Sequence, residues 1–152
     1  MIRKIFKIEL VILLSAFALY SFLAIFAPAG IWNSPDETAN AYFTLRLAEG
    51  GGLAVLDTAV VRSGGLIHPR SIAVSGGLLV PGSFLGMIVF YALPVALFGA
   101  GVLPFLTPFF SALAVIVFGA ILKRFLPERA AIISMILFAA HPLRAESVAW
   151  LA

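Results

Sequence analysis

The chain has 152 residues, 62% of them hydrophobic and only 11% charged, with a mean hydropathy of +1.13. A soluble domain carries about 25% charged residues, so a water-bathed globule is excluded and an integral membrane protein is expected. The net charge of +3 is small, and the basic residues cluster at the ends of apolar segments, which marks membrane topology rather than a nucleic-acid footprint. With no cysteine, disulfides and thiolate metal sites are excluded as well.

Residues 10–27 contain no charged side chain, and at about 1.5 Å per helical residue the run is long enough to cross a bilayer. A first span over about 8–27 is predicted. Arg3, Lys4 and Lys7 precede it and predict a cytoplasmic N-terminus. Ala27-Pro28-Ala29 loosely imitates a leader cleavage site. The apolar run is longer than the usual h-region of about 7–15 residues, however, so a retained anchor is expected.

Ser34-Pro35-Asp36-Glu37 is a strong helix start: Ser34 can cap, Pro35 suits the first helical position and Glu37 completes a capping box. The helix is predicted to reach Glu49 and stop at Gly50-Gly51-Gly52. It is amphipathic, with Ala39, Tyr42, Phe43 and Leu47 on one side and Asp36, Asn40 and Thr44 on another. It belongs to a predicted extracytoplasmic loop over 28–79. The rest of that loop is irregular, with β-like runs at 53–56 and 59–61 divided by Asp57, Arg62 and Gly64-Gly65.

Residues 71–122 carry no Asp, Glu, Lys, Arg or His. They hold two helical candidates, 80–98 and 102–122, and a further span is predicted at 130–148. If all four apolar tracts cross, alternation puts Lys123, Arg124 and Arg129 outside with Asp36, against the positive-inside rule. If 80–98 re-enters or lies at the outer interface, that basic cluster moves inside and the tail emerges beside Asp36. Pro81, Gly82, Gly86 and Pro94 make 80–98 the least regular segment. The expected fold is therefore an all-α polytopic membrane protein with three spans and one such element, four spans being the alternative.

Asp36 and Glu37 are the first candidate site residues. The capping box accounts for Glu37. Asp36 is not needed for it and sits at the mouth of the membrane, where acidic groups tend to mark sites. Arg70 and His68 are the last cations before the uncharged tract. Arg70 could hold a phosphate bidentately or anchor the loop at the headgroups. His141 could bind substrate or hydrogen-bond a helix end, and it has no partners at metal-ligand spacing. Glu146 could be a site acid or pair with Arg144 or Arg129. The chain contains no phosphate-binding loop motif, no H-E-x-x-H and no G-x-S-x-G.

Pro35-Asp36-Glu37-Thr38, after a first span and opening an amphipathic helix, resembles the first extracytoplasmic loop of GT-C fold glycosyltransferases. The likeness is to the polyprenyl-phosphate-dependent branch that includes lipid A aminoarabinose transferases and protein mannosyltransferases. The stretch from His141 to Trp150 is similar to the HP-x-x-x-E-S-V-A-W segment of bacterial membrane proteins with TPR repeats and of the TMTC mannosyltransferases. The two likenesses point to different branches, and together they cover only the N-terminal portion of such an enzyme, so a fragment of a longer protein is expected. The resemblance implies a catalytic-base or metal-contact role for Asp36, with Glu37 beside it and Glu146 as a second acidic contact. It also implies a polyprenyl-phosphate-linked sugar as donor, a divalent metal ion as candidate cofactor, and residence in the bacterial inner membrane. Metal ligands and oligomeric state are left open. The alternative is a non-catalytic polytopic protein, such as a transporter piece or assembly subunit. A mid-span ionisable residue would favour transport, and the 10–27 and 102–122 runs have none.

Overall fold

Residues 2–25, 34–82 and 84–141 are described by a computed structural model of the chain. They are mostly helical and divide into two compact units, one of Met1–Ile31 with Pro104–Ala152 and one of Trp32–Leu103.

The first unit contains α1 (Ile2–Ile25), α5 (Leu103–Leu122) and α6 (Glu128–Ala140). Lys123, just past the end of α5, forms an ion pair with Glu9 near the start of α1, so these two helices run antiparallel. At the other end of α1, the Tyr20 hydroxyl donates to the Ala139 carbonyl at 2.9 Å, which brings the C-terminal halves of α1 and α6 together. Tyr20, Ala16 and Ala112 form a buried cluster with Leu13, Phe17 and Ala139 packed around it. The Phe118 and Phe138 rings lie 4.4 Å apart, centroid to centroid. A methyl group on Gly119 would collide with the Met135 sulfur, so glycine is what lets α5 and α6 approach closely there.

Two helical stretches, Lys7–Ile25 and Ala100–Leu122, are long and apolar enough to cross a membrane. Only 17% and 28% of their apolar windows are buried within the protein, which is too little for core helices of a soluble domain. Val11, Leu14, Phe22 and Ile25 leave an exposed apolar surface along α1. Where a third span over 130–148 is expected, α6 is 13 residues long and ends at Ala140 with His141 extended. Among the described residues it is too short to cross a bilayer, and residues 142–148 lie outside the described residues.

The second unit opens with α2 (Pro35–Ala48). Its capping box is formed as predicted: the Glu37 N–H donates to Ser34 Oγ and the Ser34 N–H to Glu37 Oε2, both at 3.2 Å. The helix stops at Gly50, whose φ of 80° is the left-handed conformation a C-terminal glycine supplies. There follow β1 (Val55–Leu56), α3 (Thr58–Arg62), β2 (Ile72–Ser75), β3 (Leu78–Pro81) and α4 (Leu85–Phe98). The strands make an antiparallel sheet in the order β1-β3-β2, with Val55 opposite Leu79 and Val74 also opposite Leu79. Gly76 and Gly77, at φ 57° and 77°, form the two-residue turn between β2 and β3. Such a turn suits the twist of a hairpin and needs positive φ at both positions.

Four expectations are corrected here. The chain is not all-α, because the loop region holds a three-stranded sheet. The β-like run at 59–61 lies in α3, since the Asp57 carboxylate caps that helix by accepting from the Ala59 and Val60 N–H groups. Val80 belongs to β3, and the helix expected from residue 80 starts at Leu85. Asn40 and Thr44, which the sequence sets apart from the apolar side of α2, are buried along with Glu37. The buried side of α2 packs on α4. At 14 residues α4 covers about 21 Å, well short of the roughly 30 Å hydrocarbon layer.

Candidate functional site

The second unit holds a cleft of about 430 Å³ built from α2, the sheet and two loops. Pro35, Thr38, Ala39 and Tyr42 form its helical wall. Their spacing of three, four and seven residues puts them on one face of α2. Val55, Ile72 and Leu79 form the opposing floor. Val55 and Leu79 are directly paired, and Ile72 opposes Pro81 two residues from Leu79, so all three share one face of the sheet. Asp57, Pro69 and Arg70 complete the lining from the loops. The result is a mostly apolar pocket with one carboxylate and one guanidinium, the usual makeup of a small-ligand site.

The Asp57 carboxylate is fixed by local backbone. Asp57 Oδ1 accepts from the Ala59 N–H at 2.8 Å and the Val60 N–H at 3.1 Å, which leaves Oδ2 without a described partner. Arg70 is followed by Ser71 at φ 68°, a left-handed conformation that costs a non-glycine residue about 1–3 kcal/mol. The neighbouring strand end accommodates this turn only because residue 82 is glycine: a Cβ there would stand 2.7 Å from the Ser71 carbonyl oxygen. Arg70 is exposed and makes no hydrogen bond or ion pair with any described residue. Asp57 and Arg70 line the same cleft without pairing to each other.

Of the predicted site residues that are described, Arg70 alone lines the cleft. Asp36 is exposed in the first turn of α2, between the cleft-lining Pro35 and Thr38 in sequence but not itself part of the wall. Glu37 is buried, and its carboxylate accepts the Ser34 N–H. His68 is exposed outside the cleft, with Nδ1 3.0 Å from the Pro69 carbonyl oxygen. His141 ends α6 in the first unit. Glu146 lies outside the described residues. Among the described residues no group of three His, Cys, Asp or Glu side chains is arranged to hold a metal ion.

Asp57 and Tyr42 line the cleft without being among the candidates nominated from the sequence. Asp57 carried a detectable signal: an acid two residues ahead of Ala59 is a helix N-cap, which fixes where it stands. Tyr42 stands on the apolar side of α2, and nothing in helical periodicity separates a core position there from a pocket wall. Comparison of the chain with protein-family models, curated proteins and solved structures gives no match.

Proposed function

We propose that the chain is part of an integral membrane glycosyltransferase that binds the phosphate of a polyprenyl-phosphate sugar in the cleft of the second unit, at the outer face of the bacterial inner membrane. The topology rests on charge. The Glu9–Lys123 pair gathers the start of α1 and the end of α5 at one end of the first unit. Lys7, Lys123 and Arg124 therefore share that end, and the positive-inside rule assigns it to the cytoplasm. The chain leaves the first unit at the C-terminal end of α1 and returns at the N-terminal end of α5. The intervening α4 is too short to span, so we read it as interfacial or re-entrant.

The observation that carries the chemistry is an Arg70 without a described partner, lining a mostly apolar cleft whose other charged lining residue is Asp57. A guanidinium suits an anionic oxygen cluster because it donates two parallel hydrogen bonds. In the reaction, an acceptor hydroxyl attacks the anomeric carbon with inversion while the bond from that carbon to the phosphate oxygen breaks. Asp36 takes the hydroxyl proton, and Arg70 stabilises the charge on the departing phosphate. Glu37 acts through the helix start it caps, and Glu146 is kept as the second acidic contact implied by the family resemblance. The membrane and the donor are the partners of this reading.

Arg70→Gln tests it. A hydrogen bond to a charged group contributes about 1.5–3 kcal/mol, so the variant is expected to bind polyprenyl phosphate about 10- to 150-fold more weakly. Titration of the detergent-solubilised full chain with polyprenyl phosphate measures this. Equal affinity of variant and wild type would remove Arg70 from the site.

A further inference from the structure

The cleft carries two opposite charges that do not meet. The Asp57 carboxylate is tied down by the two N–H groups of α3 from which its Oδ1 accepts, and the exposed Arg70 guanidinium makes no hydrogen bond or ion pair with any described residue. Asp57 is half-buried, and its second carboxylate oxygen has no described partner. Capping α3 therefore accounts for only one of its two oxygens. Tyr42 lines the same cleft and adds an aromatic face and a hydroxyl, while Ile72 and Leu79 supply apolar surface.

We propose that the cleft takes a zwitterion, with a phosphate ester on Arg70 and a primary ammonium on Asp57, joined by a short alkyl spacer lying over the apolar floor. The ammonium donates to Asp57 Oδ2 and can rest against the Tyr42 ring, a favourable partner for a cation. The proposal depends on the reading of Arg70 as the phosphate site and adds a charge requirement that this reading lacks. Phosphoethanolamine is the simplest ligand with this chemistry, and it exists both as a free compound and as a phospholipid headgroup.

The test compares O-phosphoethanolamine with glycerol phosphate on the detergent-solubilised full chain, and phosphatidylethanolamine with phosphatidylglycerol in nanodiscs. Wild type is expected to prefer the ammonium-bearing member about tenfold or more, the scale of one hydrogen bond to a charged group. Asp57→Asn keeps the cap of α3, since asparagine caps as well as aspartate. It should erase the preference, because O-phosphoethanolamine then loses the carboxylate that distinguishes it from glycerol phosphate. Arg70→Gln should weaken both ligands. A preference seen with the soluble pair supports a free ligand, and one confined to nanodiscs supports a lipid headgroup. Equal binding of the two members by wild type, or a preference that survives Asp57→Asn, overturns the zwitterion while sparing Arg70 as a phosphate site. Failure of wild type to bind any of the four overturns the zwitterion, while the polyprenyl phosphate titration of Arg70→Gln decides the reading of Arg70 separately.

Discussion

Asp36→Asn is expected to lower sugar transfer by about 10²- to 10⁴-fold, the usual contribution of a positioned general base. The substitution changes little else. Asparagine has nearly the same shape, Pro35 and Ser34 still open α2, and the capping box uses Glu37 rather than Asp36. If Asp36 served only to complement the helix dipole, its loss would cost about 0.3–1 kcal/mol of stability and leave transfer nearly intact. The two roles thus differ by orders of magnitude in one assay. Membranes containing the protein, supplied with a panel of polyprenyl-phosphate sugars, provide the measurement, and activity within threefold of wild type would exclude Asp36 as the base. Because Asp36 lies outside the cleft wall, the acceptor must approach along the N-terminal turn of α2 for this role to hold.

Tyr20→Ala should have the largest effect on stability. Tyr20 is fully buried among Ala16, Ala112, Leu13 and Phe17, and truncating a buried aromatic costs about 3–5 kcal/mol. Lipid replaces water around separated helices in a bilayer, so part of the transfer term drops out and the lower end of that range, about 3 kcal/mol, is expected. The hydroxyl contributes separately. Ala139 lies in the last turn of α6, where carbonyls lack intrahelical partners, and Tyr20 donates to it. Tyr20→Phe should therefore cost about 1 kcal/mol, in line with hydrogen bonds between membrane helices. Unfolding by titration with SDS reads both variants, and a loss below about 1 kcal/mol for Tyr20→Ala would mean that the cluster does not hold α1 in place.

Long uncharged runs and helix punctuation were legible in the residues. Helices α1, α2 and α5 stand close to where hydropathy, the Ser34–Glu37 box and Gly50 put them. The sheet was legible only in part. Its strongest local signal was Gly76-Gly77 between short apolar runs, a two-residue hairpin turn, but the surrounding uncharged tract reads equally well as the approach to a helix. The helix α3 hid behind β-branched residues whose preference was overridden by the Asp57 cap. Burial of Asn40 and Thr44 was not legible, because periodicity separates the faces of a helix without saying which one a neighbour covers. The cleft shows the same limit. Arg70 could be nominated from its position before the apolar tract, whereas Asp57 and Tyr42 reach it only through sheet register and the packing of α2.

The arrangement of the chain across the bilayer carries the rest of this account, and it can be read directly because the chain has no cysteine of its own. Leu66, in the loop of the second unit, and Phe125, in the turn after α5, are both strongly exposed, at 89% and 78%. Single-cysteine variants Leu66→Cys and Phe125→Cys, probed with a membrane-impermeant maleimide in intact spheroplasts, report which side each occupies. Labelling of Leu66→Cys in intact spheroplasts, with Phe125→Cys labelled only after permeabilisation, is the predicted result. Labelling of both from outside, or of Phe125→Cys alone, would contradict the account.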